Sequence, residues 1–393
     1  MNTVSPFHAP TAVPRHRIGL LSTYPPKLCG LATFAAALEG ELQRSGHRVD
    51  VVRIDDGDGT PITAKPLAGE LVNGRPSSIR AAATVLSNCD VAIVQHEYGI
   101  YGGEDGEEVL DLLKMISVPI IVVLHTVPVR PTVRQRSVLV AVAALADRVV
   151  VMTDSARNRL VATYPMDVSK IDTIPHGAST VTVVPVHDAH HSVRSSPQLL
   201  TWGLLGPGKG IEHTIDALAL LGDMHPRPRY TIAGVTHPKV FTRDGDAYRH
   251  DLIRRSWANG VAATVVFDDT YRTVEELTRF VASSAVVVLP YDSREQVTSG
   301  VLVDAIAAGR PVIATAFPHA LELLSSGAGI VVPHGDPPAL ADAIRSALTD
   351  HERMADMESE ARRLATSLSW SAVAQQYSEV VTELVDTSDR LAV

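Results

Sequence analysis

Short, continuously apolar runs, each followed by a stretch with helical spacing, recur twice over along this chain, and that alternation leaves few folds open. In the first half the runs are residues 17–22, 48–54, 91–95, 120–125, 148–152 and 170–174. Ala-rich or amphipathic stretches such as 32–45, 107–116 and 134–146 lie between them. A strand apolar at every position has both faces covered, and strands separated by helical crossovers pair in parallel. The texture breaks at residues 186–196, V-H-D-A-H-H-S-V-R-S-S, which are polar, His-rich and without periodicity, and read as a linker. The alternation then restarts, with residues 199–205, 230–233, 264–267, 285–290, 312–315 and 329–332 as strands. Two such halves predict an α/β protein of two facing doubly wound domains, with ligands at the carboxyl ends of the strands and a cleft between them.

Bulk properties narrow the function. The 393 residues exceed what one core usually holds. A net charge of −9 argues against a nucleic-acid partner held by phosphate contacts. Cys29 and Cys89 are the only cysteines, so no disulfide framework is expected and a reducing compartment is natural. No run approaches the roughly 18 apolar residues of a membrane span. Residues 1–15 lack the apolar core of a signal peptide. The expectation is a cytoplasmic protein with no strong membrane signal.

The residues that carry chemistry fall at strand ends. Residues 296–311, Q-V-T-S-G-V-L-V-D-A-I-A-A-G-R-P, pass from a polar run into an apolar helix. A helix start offers unpaired N–H groups and partial positive charge. Gly300 lets an anion approach those amides, and Asp304 could take hydrogen bonds from sugar hydroxyls. Amides for a diphosphate and a carboxylate for a ribose suit a nucleotide sugar. Residues 203–210, G-L-L-G-P-G-K-G, nearly form a Walker A loop, but Gly210 stands where Ser or Thr should hold magnesium. A nucleoside triphosphatase is therefore rejected, and what remains is a Gly-rich turn with Lys209 for a diphosphate.

Three further segments come from the first half. Residues 24–34, Y-P-P-K-L-C-G-L-A-T-F, lack the G-x-G-x-x-G fingerprint of a dinucleotide site, and Cys29 reads as a packing residue rather than a nucleophile. Residues 95–104, Q-H-E-Y-G-I-Y-G-G-E, mix carboxylates, rings and glycines in a way that suits carbohydrate. His125-Thr126 ends the next strand on the same edge as His96. No metal is expected. The His cluster of the linker lacks partner ligands, and Asp56-Gly-Asp58 and Asp244-Gly-Asp246 read as solvated turns.

With these residues the chain resembles the retaining family-4 glycosyltransferases of bacteria, of GT-B architecture, in which two Rossmann-like domains face one another. The resemblance runs from about residue 17 to 377 and is most specific at residues 203–210, 234–238, 296–315 and the late Ser369-Trp370-Ser371. It implies a disordered N-terminus over 1–16, an acceptor-binding domain over 17–185, a linker over 186–198, a nucleotide-sugar domain over 199–368, and a helix over 369–393 that crosses back to the first domain. In the catalytic set it implies, Lys209 binds the donor diphosphate, His125 sits beside the transferred sugar and Gln296 holds its hydroxyls. Ser299, Gly300 and Val301 amides would hold the distal phosphate and Asp304 the ribose, with Gly30, Gly208 and Arg294 completing the donor site. The acceptor would lie against His96, Glu97, Tyr98, Tyr101, Gly103 and Glu104.

Two departures from the family pattern stand out. Leu204 occupies the place of the phosphate-loop arginine, which Arg294 or Arg130 would have to replace. The paired carboxylates with seven residues between them are here Gln296 and Asp304. The expected activity is metal-independent transfer of a hexose with retention, from a nucleotide diphosphate sugar to a saccharide or small glycoside. GDP-mannose is favoured over UDP-glucose as donor, and no cofactor is needed. The alternatives are a phosphorylase or sugar-nucleotide epimerase of the same architecture, or a non-catalytic sugar-nucleotide-binding protein.

Overall fold

The computed structural model describes residues 15–57, 67–180, 196–270 and 272–391. Two parallel sheets organise it. The first holds β1 Arg17–Ser22, β2 Arg48–Asp55, β3 Gly69–Val72, β4 Val91–His96, β5 Ile120–Leu124, β6 Arg148–Val151 and β7 Ile171–Thr173, in the order β3-β2-β1-β4-β5-β6-β7. The second holds β8 Gln198–Trp202, β9 Arg229–Ala233, β10 Val265–Asp268, β11 Val286–Leu289, β12 Val312–Thr315 and β13 Gly329–Val332, in the order β10-β9-β8-β11-β12-β13. Strand order reverses between β1 and β4 and between β8 and β11, the two points where such sheets open a crevice.

The helices are α1 Gly30–Arg44, α2 Pro76–Ser87, α3 Glu108–Leu113, α4 Val133–Leu145, α5 Asp154–Thr163, α6 Ile211–Ala219 and α7 Pro238–Asp244. They continue with α8 Ala247–Ala258, α9 Val274–Ala282, α10 Gly300–Ala307, α11 Pro318–Leu323, α12 Pro337–Thr349, α13 His351–Ala365 and α14 Trp370–Leu391.

Each sheet is apolar on both faces because helices cover both. In the first, Leu21, Val94, Val122 and Val149 face one core, and Leu20, Ile93, Ile121 and Val150 face the other. The second core includes Tyr377 and Val381 of α14, so the C-terminal helix packs on the first sheet. His47 Nε2 and Ser378 Oγ lie 3.1 Å apart, and Arg148 pairs with Glu383 at 2.6 Å, which anchors α14 there. The edge strand β3 is not foreseen by the sequence pattern: of G-E-L-V only Leu71 is buried. His125 lies just beyond β5 rather than in it. Residues 1–14 of the expected N-terminal segment and 186–195 of the expected linker lie outside the described residues, as does Asp58 of the first Asp-x-Asp triplet.

The chain passes between the sheets at two places that touch. Ala178 N donates to Leu368 O (2.8 Å), and Trp370 N donates to Ala178 O (3.1 Å). A Cβ on Gly177 would lie 2.3 Å from the Trp370 ring, so only glycine admits this crossing. The start of α5 adds a second seam. Thr153 Oγ1 donates to Val297 O (3.0 Å), and Glu322 of α11 accepts from Asp154 N (2.9 Å) and Ser155 N (2.8 Å). Val297, from the loop before α10, is buried in the core of the first sheet. The two strand-end edges are thereby held against one another.

Candidate active site

Lys209 stands in the turn from β8 into α6. Gly208 (φ +89°) and Gly210 (φ +63°) flank it in conformations other residues resist. Its Nζ lies over the Tyr291 ring, 4.7 Å from the centroid, and burial lowers its pKa. No carboxylate among the described residues pairs with it. A half-buried cation that rests on a ring face is disposed to accept an anion. Tyr291 stacks on Phe317 (5.3 Å between centroids) and has Ser299 as a neighbour, which brings the lysine loop close to the start of α10. Val301 closes the same gap, 3.9 Å from where a Cβ on Gly203 would sit.

Ser299 caps α10, its Oγ accepting from Leu302 N (3.3 Å). Its own amide donates to His319 Nδ1 (2.8 Å). This corrects one expectation: of the three amides assigned to the distal phosphate, Ser299's is already used, and only those of Gly300 and Val301 stay open among the described residues. Gln296 Nε2 donates to Thr298 O (3.1 Å), which fixes the loop before the helix. Asp304 lies one turn further in and is half-buried, and burial pushes its carboxyl up to about 7.

Leu204 is half-buried, and Arg294 and Arg130 are exposed without partners among the described residues. Arg159 Nη1 donates to both Val127 O and Glu295 O (2.8 Å each), so the loops bearing Arg130 and Arg294 meet at one seam. Both candidates for the missing arginine therefore remain near the cleft.

On the first domain, Gly30 opens α1 with nothing within 4 Å of an added Cβ. Cys29 caps that helix, its Sγ accepting from Ala32 N (3.4 Å), as a packing residue would. His125 Nε2 lies 2.6 Å from Gln95 Oε1, and the edge of Phe34 meets the ring at 5.1 Å. Burial first, then the neighbouring His176 and His96, push His125 down to about 3, so the ring is neutral near pH 7.

The residues expected to meet the acceptor divide. Glu97 accepts from Tyr98 N (2.9 Å) and Thr126 Oγ1, and burial raises its pKa against the opposing charge of Lys239 from α7. Lys239 Nζ comes within 3.7 Å of an added Cβ on Gly99, so a second-domain cation reaches this first-domain loop. Tyr98 OH donates to Gln135 O (3.3 Å) and is half-buried. Gly103 makes a turn at φ +79°.

Three assignments are corrected. His96 is sealed in the core between Tyr98 and Tyr101, with both ring nitrogens unpaired. Tyr101 is buried and spends its hydroxyl on Gln95 O (2.6 Å). Glu104 forms an exposed ion pair with Arg134 (3.5 Å). The first two shape the strand end from behind, and the third is engaged with α4.

Two histidines absent from the sequence reading complete the site. His176, just after β7, has Nε2 2.9 Å from where a Cβ on Gly300 would lie, and its ring meets Phe34 at 5.1 Å. Its Nδ1 donates to Gly177 O (2.7 Å). His319 supports Ser299 as described. His176 could have been found as the polar residue continuing the face of Ile174. Nothing in the sequence marks His319, which acts across 20 residues.

Among the described residues Glu212, His213 and Asp292 could together hold a metal ion, their ligand atoms lying within 4.8 Å of one another. They are already satisfied internally, His213 by Asp292 (2.9 Å) and Glu212 by Tyr248 OH (2.8 Å).

The chain is similar to known proteins in sequence and in fold. The profile described as Glycosyltransferase Family 4 matches residues 29–181, and that described as Glycosyl transferases group 1 matches residues 187–364. The chain is 28% identical over 250 residues to the D-inositol 3-phosphate glycosyltransferase of Corynebacterium glutamicum (strain R), covering 61% of this chain and 58% of that protein. That match spans less than two thirds of the relative's length. It is 25% identical over 291 residues to the alpha-D-kanosaminyltransferase of Streptomyces kanamyceticus, covering 69% of this chain and 72% of that one. In structure it is similar to the HepE protein of Anabaena, crystallised in complex with UDP, with a TM-score of 0.73 and 18% identity over 94% of this chain and 100% of that one. Adjoining profile matches on the two halves and a shared two-sheet fold lead to one conclusion: the chain belongs to the family-4 glycosyltransferases of GT-B architecture.

Proposed function

We propose that the protein is a retaining hexosyltransferase that moves a sugar from a nucleotide diphosphate donor to a hydroxyl of a saccharide or small glycoside. The observation that carries this reading is the desolvated, carboxylate-free Lys209 beside the two open amides of α10, with first-domain His125 and His176 brought to the same place. A departing diphosphate would gain from Lys209 and the helix start as its charge grows. Asp304 would hold the ribose, Gln296 the sugar hydroxyls, and Glu97 and Tyr98 the acceptor. Among the described residues no carboxylate pairs with the His125 ring, so a double displacement is left without a nucleophile beside it. Front-face transfer, with the leaving phosphate taking the acceptor's proton, follows. The amides and Lys209 supply the charge that a metal would, so transfer is expected to persist in chelator.

GDP-mannose is the favoured donor, because residues 95–104 and 234–238 are similar to those of bacterial members associated with mannosides. UDP-glucose is the second reading, supported by the HepE structure in complex with UDP-glucose. A thermal-shift screen of GDP and UDP separates them, since the true nucleotide stabilises the fold by mass action. Lys209→Ala should then lower kcat/KM roughly ten- to a hundredfold, as expected for loss of a charge-assisted contact. Unchanged kinetics in a folded variant would return Lys209 to a mere packing role.

A further inference from the structure

Gln95 is the penultimate residue of β4 and is fully buried. The parallel register sets it beside Val123 of β5, so its side chain and that of His125, two residues beyond Val123, leave the sheet on one face. That face is otherwise apolar, with Leu20, Ile93, Ile121 and Val123. An aliphatic residue would match its neighbours on this face. Gln95 instead leaves its Nε2 sealed from solvent without a partner, a penalty for a buried donor. What offsets it is Oε1, 2.6 Å from His125 Nε2, while Tyr101 OH holds the Gln95 carbonyl from behind.

With Oε1 turned to the ring, the amide oxygen accepts, so the proton of the His125 ring stands on Nε2 and Nδ1 carries the lone pair. Nδ1 has no partner among the described residues, and it is not one of the sealed, orphaned nitrogens that those of His96 are. Phe34 clamps the ring from the side.

We propose that Gln95 is a positioning residue for sugar transfer: it fixes the proton of His125 on Nε2 and so presents the Nδ1 lone pair to the positive charge that develops on the transferred sugar. This rests on the transferase reading above. With the opposite tautomer an N–H dipole would face that charge and raise the barrier. The titratable groups that act on His125 are His176, which shares the Phe34 ring with it, and His96, on the opposite face of β4; burial pushes both down to about 4, so neither supplies a competing charge near pH 7.

The test combines two substitutions at Gln95 with His125→Ala. Gln95→Leu should lower kcat roughly tenfold or more while the donor KM changes by less than about twofold. Added to His125→Ala it should cost nothing further, because residues acting through one another are not additive. Gln95→Glu places a carboxylate against the ring and favours the imidazolium, so an acid limb absent from the wild type should enter the kcat profile between about pH 5 and 8. Additive losses in the double variant, or a Gln95→Glu profile like that of the wild type, would overturn the proposal. If Gln95→Leu does not fold, Gln95→Met, unbranched and of similar length, takes its place. A wild-type protein that transfers no sugar from any nucleotide donor defeats the transferase reading itself, whereas transfer with additive variants defeats only this role for Gln95.

Discussion

Asp304 makes the clearest statement at the scale of single residues, because its burial and its proposed contact with ribose respond to pH in opposite directions. Its carboxyl is pushed up to about 7 by burial, above the usual range near 4. Between those values the folded protein holds a proton that the unfolded chain has lost, so the stability from this group declines as pH rises through the window. Ribose hydroxyls, however, donate to a carboxylate, so nucleotide binding should strengthen as Asp304 ionises. Affinity for the nucleoside diphosphate should be about tenfold lower at pH 6 than at pH 8, and Asp304→Asn should flatten the curve. Calorimetric titrations across that range measure it, and an equal slope in Asp304→Asn would place the dependence elsewhere. The position of Asp304 one turn inside α10 was legible in the sequence, from the polar run that opens into an apolar helix. The Ser299 amide was misread because its partner, His319, lies on another helix.

Among the elements, β1 and β12, buried on both faces, begin and end where the apolar runs do, and so does the edge strand β13, which buries only Val332 but keeps the apolar run I-V-V. The pattern failed at the other kind of edge, β3, where Glu70 breaks a four-residue run of which only Leu71 is buried. Loops were legible where backbone geometry demands glycine. Gly210, which caps α6, has φ +63° and its absent Cβ would lie 1.8 Å from Pro290 O, so it packs directly on the end of β11. Gly208, at φ +89°, has open space around it. Gly208→Ala should therefore cost only the left-handed strain, about 1–2 kcal/mol. Gly210→Ala must also displace backbone and should cost clearly more, with weaker diphosphate binding because Lys209 moves with the turn. Urea denaturation of both variants checks this, and equal costs would mean that the contact with Pro290 is easily relieved.

At the scale of the whole molecule, the sequence could announce two domains but not how they are fastened, since the fastening depends on residues far apart in the chain. Glu322 is the main case. Its carboxylate reaches from α11 to the start of α5 and accepts two backbone amides there, at 2.9 and 2.8 Å. A helix start with a charged cap gains about 0.5–2 kcal/mol, and here the cap belongs to the opposite domain, so that energy favours the approached arrangement over a separated one. Thr153 to Val297 O and Arg159 to Glu295 O reinforce the same seam. The seam adjoins Gln296 and the start of α10, so loosening it should also disturb donor binding. Glu322→Ala should enlarge the radius of gyration of the ligand-free protein in solution scattering and raise the donor KM severalfold. Its kcat at saturating donor should fall less, because bound donor helps to draw the domains together. A scattering curve and KM indistinguishable from the wild type would show that Glu322 merely decorates an interface held by Val297 and the paired crossings at Ala178 and Trp370.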